Sequence, residues 1–198
     1  FDLPSLRLLT EGFGLELIKI PSVEVTNAPL LLAAARSGAD IILSTGMSDL
    51  DDVRRALSVL AFGYLGRTEK PSTKSFAAAF ADTQGRAALD GKVTLLHCTS
   101  EYPAPFEDVN LRAMDTLREA FGLPVGLSDH SPGINVAIAA AARGAVMIEK
   151  HFTLDRTLPG PDHKASLEPD ELKAMVEGIR QVERALGDGR KAPAPSEI

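Results

Sequence analysis

Gly126-Leu-Ser-Asp-His130 closes one apolar run, and Met147-Ile-Glu-Lys-His151-Phe152 closes the next. Each sets two polar groups two residues apart, Ser128 with His130 and Glu149 with His151. Side chains alternate faces along a strand, so each pair points the same way. A hydroxyl, a carboxylate and two imidazoles turned inward are costly as packing and sensible as chemistry, which suggests a metal-using enzyme.

Outward from these stretches the chain alternates strand and helix. Short apolar strands are predicted over residues 15–20, 41–44, 93–98, 125–127 and 145–148. Helices are predicted near 28–37, from a Ser48 or Asp49 cap to about 61, and over 109–121, 134–143 and 168–186, with Gly38, Gly122, Gly144 and Gly187 as stop signals. Residues 63–91 read as a polar excursion with one helix near 76–82. Five βα units with short buried strands mean parallel pairing and right-handed crossovers. The polar residues fall at strand C-terminal ends, where barrels and open α/β sheets both build sites. No Gly-x-Gly-x-x-Gly turn follows a strand, so a dinucleotide fold has little support. A whole eight-fold barrel takes about 250 residues. A chain of 198 residues is therefore a five-stranded open sheet or the latter part of a barrel.

With 44% hydrophobic and 24% charged residues, the composition is that of a soluble globular domain. A net charge of −6, no Trp and no basic stripe argue against nucleic acid as a partner. No apolar run approaches a membrane span. Phe1-Asp-Leu-Pro-Ser5 has neither the basic nor the apolar region of a signal peptide. One cysteine rules out an internal disulfide and fits a reducing cytoplasm.

His130 and His151 stand 21 residues apart (151 − 130), one βα unit, hence on adjacent strands. Strands roughly 4.8 Å apart let two imidazoles share a divalent ion at about 2.0–2.2 Å each, the alternative being hydrogen-bonded core histidines. Glu149 orients a water or moves protons, or it belongs to a structural ion pair. Lys19 is a cation inside an apolar strand, and Ser22, Ser44, Ser100 and Ser128 lie at strand ends. A phosphate ester needs such a cation and several donors, although each serine alone reads as a turn or cap. If Ser100 and Tyr102 face inward, alternation turns His97 outward into a packing role. Cys98, without a partner thiol, reads as core.

Six segments together resemble the bacterial N-acetylneuraminate (sialic acid) synthase family. They are Lys19-Ile-Pro-Ser22, Ile42-Leu-Ser-Thr-Gly-Met47, Leu95-Leu-His-Cys-Thr-Ser-Glu-Tyr-Pro-Ala-Pro105, Gly126-Leu-Ser-Asp-His130, Glu149-Lys-His-Phe-Thr-Leu-Asp155 and Leu158-Pro-Gly-Pro-Asp-His-Lys-Ala-Ser-Leu-Glu-Pro169. The resemblance implies an α/β fold, a partial (β/α)8 TIM barrel made of roughly the last five βα units over 1–187, then a linker over 188–198. On that pattern the barrel's first strands, which bring a glutamate and a lysine, and an antifreeze-like second domain, which brings an arginine, lie outside this chain. The activity implied is condensation of phosphoenolpyruvate with N-acetylmannosamine to N-acetylneuraminate and phosphate, using Mn²⁺ or Mg²⁺. His130 and His151 are then the metal ligands, and Glu149 and Tyr102 the candidate catalytic residues. Lys19, Ser22, Ser44 and Ser128 bind phosphoenolpyruvate, while Ser100 and Asp162 contact the sugar.

The resemblance also implies a cytoplasmic enzyme that is a homodimer when full length. Synthesis of legionaminate or another nonulosonate is the near alternative. An inactive barrel fragment, or a metal-dependent aldolase or hydrolase, is the more distant one. The family commonly has glycine where Val23 stands, which predicts backbone strain beside Ser22 if that position needs positive φ.

Overall fold

A computed structural model describes all of residues 1–198. In chain order the elements are α1 (Leu3–Arg7), β1 (Leu17–Ile20), α2 (Ala28–Arg36), β2 (Asp40–Ser44), α3 (Leu50–Tyr64), α4 (Thr73–Ala81), α5 (Thr83–Leu89) and β3 (Val93–Cys98). They continue with α6 (Phe106–Val109), α7 (Ala113–Phe121), β4 (Val125–Asp129), α8 (Asn135–Ala142), β5 (Ile148–Lys150) and α9 (Pro169–Leu186). The five strands form one parallel sheet in sequential order, β1-β2-β3-β4-β5.

Alternation divides the sheet into two unlike faces. Ile18, Ile20, Ile41, Leu43, Val93, Leu95, Val125 and Leu127 occupy one parity and lie in a single buried cluster with Leu31, Leu57 and Phe62 of the helices. The other parity carries Lys19, Ser44, Cys98, Ser128 and Glu149, which line a cavity. The apolar core therefore sits between strands and helices, and the polar parity faces the concave side.

The sheet is strongly curled. Four strand spacings of a flat sheet would hold β1 and β5 roughly 19 Å apart. Yet Lys19 Nζ on β1 lies 3.4 Å from Glu149 Oε2 on β5. A lysine and a glutamate together reach only about 10 Å beyond their Cα atoms, so the two edge strands have bent toward each other. This is the arc of a partial (β/α)8 barrel, and it decides against the open sheet.

Several boundaries depart from expectation. The helix expected over 109–121 starts only at Ala113, because Asn110 adopts a left-handed conformation (φ 46°) that ends the short α6 before it. The excursion holds α4 and α5, capped by Ser72 and Asp82. The last strand is paired over Ile148–Lys150, later than the apolar run suggests, so a glutamate and a lysine are strand residues. The N-terminal helix α1, capped by Asp2, has no counterpart in the expected elements. Val23 sits in a one-turn 3-10 helix (Ser22–Glu24), is 65% exposed and has no positive φ, so the expected strain is absent. Residues 187–198 are exposed throughout. No helix is long and apolar enough to cross a membrane.

His97 faces away from the cavity, as alternation requires. Its Nε2–H donates to the Val109 carbonyl at 2.6 Å. Burial lowers its pKa below the ordinary 6.5. The unfolded chain therefore takes up the proton first, and stability falls as pH drops below about 6.5 until the folded-state pKa is passed. Denaturant melts at about pH 7.5 and about pH 5.5 check this, with a smaller loss expected for His97→Gln, which keeps a donor and does not titrate.

Candidate active site

The cavity on the concave face has a volume of about 460 Å³. Nine of the ten residues singled out from sequence line it: Lys19, Ser22, Ser44, Ser100, Tyr102, Ser128, His130, Glu149 and His151. They come from the C-terminal ends of all five strands. Asp162 does not line it. That residue is exposed on the loop after β5, where its carbonyl accepts from Ser166.

The two histidine rings stand 5.5 Å apart between centroids, at an interplanar angle of 74°. A ring centroid lies roughly 3.2 Å from an ion held by one of its nitrogens, so rings sharing an ion can stand up to about 6.5 Å apart. His130 Nδ1 lies 2.7 Å from the Thr99 carbonyl, which only accepts, so Nδ1 carries the proton. The Nε2 lone pair is left free, the arrangement by which an outer partner orients a ligating imidazole. No third His, Cys, Asp or Glu joins the pair in a metal-holding group. The donor set thus fits a divalent ion with two protein ligands and open positions for water or substrate. Tyr102 stacks on His130 at 4.0 Å between centroids and meets His151 at 5.2 Å.

Glu149 is held from two sides. Ser128 Oγ donates to its Oε1 at 2.6 Å, and Lys19 approaches Oε2 at 3.4 Å. The ion pair read as an alternative for Glu149 is therefore formed, and its partner is the cation expected to bind phosphate. Ser44 Oγ is different. The residue is 2% exposed, and its hydroxyl has no hydrogen-bond partner. Buried hydroxyls are rarely left unpaired, and this one lines the cavity, where it can bond a polar atom of a bound molecule. Ser22 Oγ accepts from the Gly46 N–H at 2.8 Å.

Burial opposes protonation of His130, but the adjacent Cys98 thiol and Thr99 carbonyl outweigh it and raise the pKa above the ordinary value. Burial raises the Tyr102 phenol, with a smaller contribution from the nearby carboxylates, so it stays a donor at neutral pH.

Two residues at the cavity escaped sequence reasoning. Cys98 is buried, as a core residue would be, yet its thiol faces the site, with Sγ 3.9 Å from His130 Nδ1. Its shared parity with Ser100 and Tyr102 was the available signal. Gly46 is a contact no side chain could make. A Cβ there would lie 2.3 Å from Ser100 Oγ and 2.9 Å from Ser22 Oγ. Any side chain at this place between two strand-end serines would force both hydroxyls to move.

The family model described as the NeuB family matches residues 1–191. The chain belongs to the NeuB family. Among NeuB-type relatives, it is 49% identical over 197 residues to the N,N'-diacetyllegionaminic acid synthase of Campylobacter jejuni, covering 100% of this chain and 52% of that protein. It is 36% identical over 181 residues to human N-acetylneuraminate-9-phosphate synthase, covering 91% of this chain and 43% of that one. A crystal structure of the N-acetylneuraminic acid synthetase of Leptospira borgpetersenii, in complex with citrate, superposes with a TM-score of 0.79 at 38% identity. That match covers 100% of this chain and 60% of the other. This NeuB-family chain spans about half the length of the curated relatives it matches.

Proposed function

We propose that the cavity is the greater part of the active site of a nonulosonate synthase, which joins phosphoenolpyruvate to an acetamido sugar aldehyde. In the reaction the enol CH₂ carbon bonds to the aldehyde carbon. Water adds to the former enol carbon, and its bond to the phosphate oxygen breaks to release inorganic phosphate. The observation that carries this reading is the unpartnered Ser44 hydroxyl, buried in one cavity with Lys19 and two converging imidazoles.

Lys19, Ser22 and Ser44 bind the enol phosphate, because charge-assisted bonds must replace its lost hydration. Ser128 binds it too once Glu149 releases its hydroxyl. Tyr102, protonated, donates to a sugar oxygen beside Ser100, and Asp162 contacts the sugar from its loop. Glu149 moves the proton of the attacking water or of the new alkoxide. His130 and His151 hold Mn²⁺ or Mg²⁺. Bound there, the ion supplies Lewis-acid polarisation of the aldehyde oxygen. The enzyme works in the cytoplasm as a homodimer.

N-acetylmannosamine is the acceptor we assign. A diacetamido mannose analogue, leading to a legionaminate, is the second reading, supported by the higher identity to the Campylobacter protein. Phosphate release by the full-length protein, assayed with phosphoenolpyruvate and each acceptor in turn, tests both. Release is expected with one acceptor only, and it stops when the divalent ion is chelated. Release without any acceptor, or with none of the acetamido sugars, overturns the proposal.

A further inference from the structure

On the face of β4 and β5 opposite the cavity, Asp129 and Lys150 form an ion pair at 2.8 Å, with side chains 1% and 3% exposed. The two residues are register partners across the strands. Each precedes one of the histidines. Asp129 Oδ1 also accepts from the Ser131 N–H at 2.9 Å and the Ser131 hydroxyl at 2.6 Å, while Lys150 Nζ donates to the Ser131 carbonyl at 2.5 Å. The backbone is thus tied on both sides of His130.

We infer that the buried Asp129–Lys150 pair, clamped onto Ser131, is a positioning device that sets the separation of the His130 and His151 rings. The inference rests on the metal reading given above. A buried ion pair is a poor source of stability, since a well-packed apolar pair often replaces it at no loss. What such a pair does supply is registry. Sliding β5 by one residue would leave both charges buried and unpaired, and would turn Glu149 and His151 to the wrong face. The last two cross-strand pairs and the histidines that follow them therefore form one unit. Ser128–Glu149 faces the cavity, Asp129–Lys150 is the last register pair and faces away from it, and His130 and His151 follow one residue beyond on each strand. Asp129 and Lys150 do not line the cavity, so they bear on it from behind the strands that carry the histidines.

The test is Mn²⁺ affinity, measured on the full-length protein by the electron paramagnetic resonance of free Mn²⁺ far below the melting temperature. The double variant Asp129→Leu/Lys150→Met keeps the face apolar. It is expected to melt near the parent yet bind Mn²⁺ about tenfold more weakly, the loss typical of outer partners of metal ligands. Ser131→Ala leaves the charges paired and loosens only the turn, with about threefold weaker binding expected. A folded double variant with parental Mn²⁺ affinity overturns the inference. If the double variant does not fold, Ser131→Ala decides, and parental affinity there overturns it. A parent whose Mn²⁺ binding is absent, or unchanged by His130→Ala, overturns the metal reading itself and the inference with it.

Discussion

His130→Ala and His151→Ala each lower divalent-metal-dependent turnover by about 10³-fold, as expected when Lewis-acid stabilisation worth several kcal/mol is lost. On the proposed reading the two imidazoles are the only protein ligands, since no third acidic or thiol group joins them. Losing one leaves a single nitrogen, which cannot hold the ion against water at ordinary concentrations. His97→Gln is the control. It removes a histidine of the same barrel whose ring bonds to the Val109 carbonyl outside the cavity, and turnover should stay at the parental level. Steady-state assays across a range of Mn²⁺ concentrations separate the cases. Raising Mn²⁺ should recover part of the activity of a ligand variant if the second histidine still directs the ion. Parental turnover in either ligand variant would show that the rings are packed histidines, the other reading of their spacing.

Much of this site was legible because strand geometry is rigid. A period of two, applied to Ser128 with His130 and to Glu149 with His151, places four side chains on one face without any knowledge of the rest. The same rule turned His97 outward and, applied to Cys98, would have brought the thiol in. It would also have exposed the clamp. If Ser128 and His130 face inward, then Asp129 must lie under the helices. A charge there demands a partner, and Lys150 is in register. Loops follow no such rule. Asp162 stands on an irregular connection, so its distance from the cavity could not be read from spacing. The break at Asn110 is likewise a backbone event, a left-handed residue inside an apolar pattern that otherwise continues. The position of β5 was misjudged because apolar content marks where a strand is buried, whereas backbone pairing marks where it is formed. The curl of the sheet needed the structure, since a strand order of one to five is common to a flat sheet and an arc.

Lys19→Met and Glu149→Gln are expected to damage catalysis in opposite ways, and the contrast tests whether their contact is a resting state or a scaffold. At 3.4 Å, with side chains 31% and 40% exposed, the pair is wet and contributes little to stability. Its effect lies in what each partner withholds. While Glu149 holds Lys19 and accepts from Ser128, two of the donors proposed for an enol phosphate are occupied. If the proposed function holds, arrival of the anion displaces Glu149 and frees the carboxylate to handle protons once substrate is in place. Lys19→Met removes a charge-assisted bond to the phosphate. It should raise KM for phosphoenolpyruvate by about 10²-fold with a smaller change in kcat. Glu149→Gln removes the competitor for Lys19, so KM should hold steady or fall. Its kcat should drop by about 10²-fold, the loss of a general acid–base group. Kinetics of the two variants side by side, with melting curves to confirm folding, give the answer. If Glu149→Gln keeps parental kcat, the carboxylate is only the partner of Lys19, and proton transfer must be assigned to another group.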